Sequence, residues 1–295
     1  MSLSRVPLFW SDEYWELGKI KTGVKLRRIE RDGYLLFLEL SGETIQVPGS
    51  ATFGGWWRYS VDCAAGQFPR LFDHLLEEFP NMRWQFRFPP SHFYPKVFES
   101  QLKYLQALGG RSVREQNSAI LHRNLGGDEV VTMFSRGNRK RVRSFRESGG
   151  VVRPANPEEY REAFTVLSES RERRGVTLSM TWEVFLLSLH RLPQVYQCWV
   201  ALKGPQVVGA ALTVDVSETS LYVLYWGDTP LGREQSVTAT ICEVIAAFAW
   251  DKNKEVLDLG ISSVDGKVDD GLLRFKRNLG ATDFDQWTVA LESSR

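Results

Sequence analysis

Cysteine, histidine and long apolar runs are scarce in this sequence of 295 residues, and each scarcity excludes a class of protein. The three cysteines, Cys63, Cys198 and Cys242, show no paired spacing, so neither a disulfide framework nor a zinc site is expected. The four histidines have no metal-ligand spacing and form no Ser-His-Asp order. Metalloenzymes and serine hydrolases are therefore disfavoured, and no metal site is expected.

Membrane and export signals are also missing. No run approaches the roughly 18 apolar residues of a membrane-spanning helix. The stretch from Met1 to Trp10 has neither the charged n-region nor the apolar h-region of a signal peptide. We therefore expect a soluble, cytoplasmic protein whose cysteines stay reduced.

The charges of the chain nearly cancel. Lys and Arg number 37 against 36 Asp and Glu, which gives a net charge of +1. This balance argues against a protein that binds nucleic acid over its whole surface. With 43% hydrophobic residues the chain can bury substantial cores, and its length favours two domains.

The second half of the chain is organised around the stretch from Val207 to Ala281. An apolar and aromatic run with strand composition, Leu221 to Asp228, is followed by an apolar helical pattern from Val237 to Trp250 and by a short strand, Val256 to Gly260. This order predicts a βαβ crossover. It places the start of the helix, Ser236, near the carboxyl ends of two strands, where open α/β sheets bind ligands.

The same order of elements occurs in both halves: helix, strand, polar loop, helix and final strand. This similarity of pattern predicts two related α/β domains, at residues 1–133 and 151–295, although two unrelated α/β halves would also give it. The elements are Phe68 to Phe79, Trp84 to Phe88, Phe93 to Leu108 and Ser118 to His122 in the first half, and Ser236 to Trp250, Val256 to Leu259, Gly271 to Leu279 and Trp287 to Leu291 in the second.

The sequence between the halves, residues 134–150, predicts a connecting basic helix. Six of the eleven residues from Arg136 to Arg146 are basic, and the opposite side of the helix carries no charge. Such a face is either simply solvated or binds a phosphate-bearing partner, such as tRNA, a nucleotide sugar or a lipid head group. The charge-free side consists of Phe134, Asn138, Val142 and Phe145.

The second half has the element order of the GNAT acyltransferase fold, and several phrases resemble the FemAB-like branch of that superfamily. The most specific phrase is Arg274-Phe275-Lys276-Arg277-Asn278-Leu279-Gly280. The resemblance extends over nearly the whole chain. It implies an α/β (α+β) fold with two GNAT-like domains, each a mixed, largely antiparallel sheet flanked by helices. The other phrases are Phe134 to Arg146, Gly209-Ala210-Ala211, Leu221 to Gly227 and Leu257 to Gly260.

The best known members of this branch transfer amino acids from aminoacyl-tRNA to peptidoglycan precursors, so the resemblance implies an N-acyltransferase. It would move an aminoacyl or acyl group from a tRNA or CoA carrier onto an amine of a cell-envelope precursor or an amino sugar. Acyl-CoA or aminoacyl-tRNA would be a co-substrate, with no tightly bound cofactor, and a membrane-linked acceptor would bring the protein to the membrane periphery. The run Arg233 to Thr238 lacks the glycines of the GNAT pyrophosphate loop, which leaves the donor open.

Two residues are candidates for catalysis. The resemblance places Lys276 at the site, where its charge would stabilise an oxyanion or the leaving group, whereas an ordinary surface helix would also carry such a cation. Asp258 alternates with Leu257 and Leu259 on a strand and would either orient or deprotonate the amine or cap a nearby loop.

The sequence also offers candidate residues for binding each of the two substrates. Tyr225, Trp226, Arg233 and Ser236 stand at the strand end and the helix start that would contact the donor. For the acceptor, Trp56, Trp57 and Arg58 belong to a glycine-punctuated loop whose aromatic side chains we expect to be exposed. They would hold a sugar or nucleotide by stacking and by a charge-assisted bond.

Two other functions remain open from the sequence. One is an acetyl-CoA-dependent N-acetyltransferase that acts on a small molecule. The other is a non-catalytic module that binds RNA or a phosphorylated glycan through the basic helix. The sequence leaves the oligomeric state open.

Overall fold

The computed structural model describes residues 6–19, 25–49, 51–58, 67–93, 95–122 and 129–292, so the prediction about Cys63 lies outside the described residues. None of the helices in these ranges combines the length and the hydropathy that crossing a membrane requires.

The helices are α1 (Asp12–Gly18), α2 (Phe68–Glu78), α3 (Pro95–Ala107), α4 (Arg136–Glu147), α5 (Tyr160–Glu172), α6 (Trp182–Arg191), α7 (Pro230–Glu234), α8 (Val237–Asp251) and α9 (Asp270–Arg277). The strands are β1 (Lys25–Arg31), β2 (Tyr34–Ser41), β3 (Thr44–Val47), β4 (Trp57–Arg58), β5 (Arg83–Arg87), β6 (Arg111–Leu121), β7 (Gly150–Pro154), β8 (Tyr196–Lys203), β9 (Gln206–Asp215), β10 (Ser220–Asp228), β11 (Val256–Ile261), β12 (Ser263–Val264), β13 (Lys267–Val268) and β14 (Thr282–Glu292).

The chain forms two compact units, and both are discontinuous in sequence. The first unit consists of Met1–Asn117, Ile261–Asp269 and Phe284–Arg295, and the second of Ser118–Gly260 and Asp270–Asp283.

The first unit contains a mixed sheet in the order β1-β2-β3-β5-β14. β2 and β3 form a hairpin with Glu39 opposite Gln46, and its turn contains Gly42 at a φ of 57°. Glycine suits this turn because a side chain would be strained in the left-handed region. β3 pairs in parallel with β5, which pairs antiparallel with β14. The helix α2 covers the sheet with aromatic contacts, such as the rings of Phe72 and Trp84 at 5.4 Å.

The second unit contains a sheet in the order β11-β10-β9-β8-β7. β7, β8, β9 and β10 are antiparallel to their neighbours, whereas β10 and β11 are parallel and are connected through α8. The predicted βαβ crossover is therefore confirmed. The helix α8 lacks a polar stripe because it is packed into the core, where its fully buried residues include Val237, Ile241, Cys242 and Ile245.

The final strand of each half contributes to the other unit, which explains why the compact units divide the chain differently from the predicted ranges 1–133, 134–150 and 151–295. β14 is hydrogen-bonded to β5, with Ala290 opposite Gln85, so most of it belongs to the first unit. The last residues of β6 belong to the second unit, and the backbone N–H of His122 donates to the carbonyl of Glu255 at 2.8 Å. The repeated order of elements is present, with the extra hairpin β12–β13 before α9.

The predicted basic helix is α4, which packs within the second unit against α8. Ser135 begins the helix by accepting a hydrogen bond from the backbone N–H of Asn138 at 3.4 Å. The predicted charge-free side is buried, whereas the basic side chains are exposed. Within the described ranges, no acidic side chain pairs with Arg136, Lys140 or Arg143. These three cations lie three or four residues apart and so share one face of the helix.

Candidate active site

A bulge interrupts β10 at its centre. Val223 lies opposite Thr213 of β9, and Tyr225 lies opposite Leu212, so Leu224 is an extra residue in β10. Such bulges turn the following side chains to new directions and are frequent beside active sites. The sequence gives no sign of it, because the apolar run continues without a glycine or proline.

The bulge has two consequences for the end of β10. Side chains of a regular strand alternate, yet Val223 and Trp226, an odd number of positions apart, both pack on the hydrophobic cluster around α8. In addition, the parallel pairing with β11 extends only over Ser220 to Tyr222. Within the described residues, the carboxyl end of β10 therefore has no partner in β11. This strand end, which pairs with β9 but not with β11, lies at the edge of the sheet where α/β folds bind ligands.

Lys276 is buried at the end of β11, and this finding rules out the alternative of a surface cation. Its exposed fraction is 1%, whereas Arg274 and Arg277 on the same helix are exposed. The ammonium of Lys276 donates a hydrogen bond to the carbonyl of Gly260 at 2.8 Å. A buried ammonium is costly unless the fold holds it in hydrogen bonds, so such positions are frequently functional.

Gly260 joins both candidate catalytic residues. Its backbone N–H donates to a carboxylate oxygen of Asp258 at 2.7 Å, while its carbonyl accepts from Lys276. Gly260 has a φ of 77°, which a side chain would strain, and a Cβ there would lie 3.4 Å from the hydroxyl of Tyr222. Lys276 and Asp258 thus both hydrogen-bond to the backbone of Gly260, which has a left-handed conformation. The hydrogen bond from the Gly260 N–H to Asp258 agrees with the alternative in which this carboxylate caps a loop. Their catalytic roles stay predictions.

Tyr225 and Trp226 point to different surroundings after the bulge. The hydroxyl of Tyr225 lies 2.6 Å from that of Ser179, and the guanidinium of Arg171 lies over its ring at 5.1 Å. Burial raises the pKa of Tyr225, so its hydroxyl stays protonated at neutral pH. Trp226 packs against Phe275 of α9 with a ring distance of 5.9 Å. The pair therefore lies near both the strand end and the helix of Lys276, and its donor-binding role stays a prediction.

The sequence analysis missed Asp228 as the centre of a charged cluster at the end of β10. Its side chain is buried, and one carboxylate oxygen lies 3.7 Å from Arg173 and 3.4 Å from Arg233. The other oxygen accepts a hydrogen bond from the Thr238 hydroxyl at 3.3 Å, and Arg173 also donates to the Asp228 carbonyl. The sequence does show an aspartate at the end of an apolar strand, which is a local sign of a site at Asp228. Its partner Arg173 is too distant in sequence to be predicted.

Arg233 and Ser236 belong to the junction between α7 and α8 rather than to an open loop. Arg233 lies in α7. The helix is capped by Thr229, whose hydroxyl accepts a hydrogen bond from the N–H of Gly232 at 3.1 Å. Ser236 precedes α8 in the left-handed conformation, with a φ of 51°, and its side chain makes no capping hydrogen bond. The helix start predicted at Ser236 is confirmed, whereas donor binding by both residues stays a prediction.

The exposure predicted for the aromatic loop is wrong. Trp56 and Trp57 have exposed fractions of 0% and 6% because they are part of the core of the first unit. Gln101 fixes the backbone of Trp56, accepting from its N–H at 3.0 Å and donating to its carbonyl at 2.7 Å, and the ring of Trp57 lies 5.4 Å from that of Trp10. Buried rings offer no free face for a sugar. Arg58 is partly exposed, so the acceptor prediction depends on it alone.

Other reactive groups contribute little to a site. In the described ranges, no group of three or more His, Cys, Asp or Glu side chains could hold a metal ion. Cys198 and Cys242 are free thiols, and burial raises the pKa of both, to about 12 for Cys198. Thiols with a raised pKa are inert structural residues rather than nucleophiles.

Solved structures with this fold include three informative cases. FemX has a TM-score of 0.66 at 15% identity, over 94% of this chain and 91% of that chain. The C-terminal domain (DUF2156) of a putative lysylphosphatidylglycerol synthetase from Agrobacterium fabrum has a TM-score of 0.61 at 11% identity, over 90% and 84%. A tandem GNAT protein from the clavulanic acid biosynthesis pathway has a TM-score of 0.52 at 12% identity, over 94% and 87%. No protein-family model and no curated protein sequence matches this chain.

The comparisons agree with the geometry of the second unit. An antiparallel meander, a bulged strand and a parallel crossover are arranged in a mixed, mostly antiparallel sheet flanked by helices, and the tandem GNAT protein and FemX share the fold over most of the chain. The resemblance and the fold class inferred from the sequence are thereby confirmed at the level of structure. The chain shares the fold of FemX and of the tandem GNAT protein.

Proposed function

We propose that this protein is an N-acyltransferase that moves an aminoacyl group from tRNA onto an amine of a cell-envelope precursor or an amino sugar. The observation that carries the proposal is the buried Lys276 at the end of β11, in the region where β10 and β11 no longer pair. The fold shared with FemX and with the lysylphosphatidylglycerol synthetase domain supports an acyltransferase. The reaction would take place in the cytoplasm, where charged tRNA is made.

The proposed chemistry needs one positive charge and one carboxylate. The acceptor amine attacks the ester carbonyl of the aminoacyl group, a C–N bond forms, and the carbonyl oxygen becomes an oxyanion that the Lys276 ammonium stabilises. The C–O bond to the ribose of tRNA then breaks, and the ribose oxygen takes the proton that the amine loses. Asp258 would orient the amine through its position beside Gly260.

The cluster around Asp228 supports tRNA over CoA as the carrier. A helix start with two nearby guanidiniums is suited to a pyrophosphate group. Here the Asp228 carboxylate already pairs with Arg173 and Arg233 and accepts from Thr238 at the start of α8. An incoming pyrophosphate would have to displace a negative charge that belongs to the protein. The exposed cations of α4 provide an alternative surface for the many phosphates of tRNA.

The donor can be identified by the stability of the product bond. The protein is incubated with tRNA charged with radiolabelled amino acids, or with labelled acetyl-CoA, in the presence of an amine-bearing peptidoglycan precursor or glucosamine. We expect label to move from the alkali-labile tRNA ester into an alkali-stable amide, with acetyl-CoA unused. Consumption of acetyl-CoA alone would identify a small-molecule N-acetyltransferase. Transfer from neither donor would contradict the proposal and favour a binding module.

Asp228→Asn is expected to open a binding site for an anion between the two guanidiniums that pair with the Asp228 carboxylate in the parent protein. The amide keeps the size of the side chain but removes its charge, which frees Arg173 and Arg233 for inorganic pyrophosphate. Charge-assisted hydrogen bonds contribute about 1.5–3 kcal/mol, so pyrophosphate should bind about 10- to 100-fold more tightly than to the parent protein in isothermal titration calorimetry. Glu234→Gln removes an equal charge from an exposed position of α7 and serves as the control. Equal pyrophosphate affinities for both variants would exclude this role for Asp228.

A further inference from the structure

A cavity of about 600 Å³ lies beside α8 in the second unit. Its walls include Trp199, Phe248 and Trp250. Trp199 is held by a hydrogen bond from its indole N–H to the hydroxyl of Thr213 at 2.9 Å. The rings of Phe248 and Trp199 pack in a T-shaped contact at 5.0 Å. This volume falls in the range of small-molecule sites. Trp199 itself is buried, with an exposed fraction of 1%, so the apolar surface that a ligand can reach is that of the partly exposed Phe248 and Trp250.

The cavity is distinct from the candidate active site. Trp250 belongs to the last turn of α8, whereas Ser236 and Thr238 stand at its first turn. A helix of 15 residues is about 22 Å long, so the two ends cannot contact the same small ligand.

The charged groups of the cavity are predominantly acidic. Three carboxylates, of Glu129, Glu243 and Asp251, line it together with a single guanidinium, that of Arg146. Glu243 and Asp251 are eight residues apart on α8 and therefore lie on similar sides of the helix. Arg146 lies 2.8 Å from one oxygen of Glu243, and three ionised carboxylates against one guanidinium leave two negative charges in excess.

Glu243 is the buried member of this acidic group, with an exposed fraction of 7%. Burial raises the pKa of Glu243, and Glu129 raises it further, while Arg146 opposes both effects. The ionised form is thus incompletely compensated by the protein, and a further cation beside it would stabilise it. The buried indole N–H of Trp250 has no acceptor among the described residues, so its resonance can report a ligand that binds beside it.

We propose that this cavity binds a small organic ammonium compound, with its cationic nitrogen beside Glu243 and its apolar body against the aromatic walls. Carboxylates and aromatic ring faces both attract ammonium groups, and the attraction increases in a partly desolvated site. The two uncompensated carboxylates disfavour an anionic ligand at the same place. The site is independent of the transfer reaction proposed above, since it needs neither Lys276 nor tRNA.

The test compares three ligands of nearly equal shape: 2-phenylethylamine, 2-phenylethanol and phenylacetate. Binding is measured in phosphate buffer by calorimetry and by the ¹⁵N-labelled indole resonances, with Trp250→Phe identifying that of Trp250. We expect the amine to bind at least about 10-fold more tightly than the alcohol or the anion and to shift the Trp250 resonance. Equal binding of all three ligands, an unmoved Trp250 resonance or no binding of the amine would overturn the proposal.

Charge-removing variants locate the site. Glu243→Gln is expected to weaken amine binding by about 10-fold or more, while binding of 2-phenylethanol stays unchanged. Asp251→Asn changes an exposed residue of the same cavity and should weaken amine binding several-fold without affecting the fold. Glu234 lies at the other end of the α7–α8 segment, so the Glu234→Gln variant should bind the amine with the affinity of the parent protein. Parental amine affinity in both cavity variants would remove the basis of the assignment.

Discussion

Lys276→Met is expected to lower the rate of aminoacyl transfer about 100- to 1,000-fold, the usual loss when one oxyanion-stabilising group is removed. Methionine keeps the apolar stem of the buried side chain but removes the ammonium that donates to the Gly260 carbonyl. The charge acts on the oxyanion rather than on the bound ester, so kcat should fall while KM for aminoacyl-tRNA stays similar. Single-turnover transfer to the acceptor amine measures this effect.

Arg274→Met is the matched control for this experiment. It removes a cation from the same helix, but Arg274 is exposed whereas Lys276 is buried. We expect parental turnover for Arg274→Met. Circular dichroism, Tm and tRNA binding of Lys276→Met separate a lost charge from a lost fold. A folded Lys276→Met protein with parental turnover would falsify oxyanion stabilisation by this residue.

Replacing Arg136, Lys140 and Arg143 together with glutamine is expected to cause the second large effect, a loss of tRNA affinity. These cations share one exposed face of α4 and lack acidic partners in the described part of the chain. Each phosphate contact contributes about 0.7–0.9 to the slope of log affinity against log salt, so the slope should decrease by about 2 to 3. Fluorescence anisotropy of labelled tRNA between about 50 and 200 mM salt measures both affinity and slope.

The control for the basic face removes the same charge elsewhere. Arg70, Arg111 and Lys267 are exposed residues of the first unit, and their replacement with glutamine changes the net charge equally. We expect this control to retain nearly parental affinity and salt slope. If both triple variants lose tRNA affinity equally, the affinity depends on the net charge of the protein, and α4 is not the tRNA-binding surface.

Local patterns in the sequence were sufficient to predict most of the helices and strands and their order. Helical spacing of apolar and charged residues identified α4 and α8, because this signal lies within a few residues of the chain. The hairpin of β2 and β3 also depends on a local signal, since its turn contains Gly42 in the left-handed region. The βαβ crossover followed from the order of elements, and the FemAB-like phrases agreed with that order.

Features that depend on distant partners could not be predicted. The extra residue Leu224 is defined only by the register against β9, and the charged cluster of Asp228 includes Arg173 from α5. The burial of Trp56 and Trp57 was missed because a glycine-rich segment was interpreted as an exposed loop. In the structure, its two large apolar rings complete the core of the first unit. Lys276 was identified only through the family resemblance, since nothing in its helix distinguishes it from Arg274 and Arg277.

The exchange of final strands between the units also affects how the protein folds during synthesis. The sheet of the first unit includes β14, so its strand β5 lacks an antiparallel neighbour until the ribosome has translated residues 284–292. Contacts between residues so far apart in sequence form slowly and leave a strand edge exposed in the meantime. A fragment that stops at residue 133 should therefore expose this edge and aggregate, and co-expression of a segment containing β14 should restore its solubility.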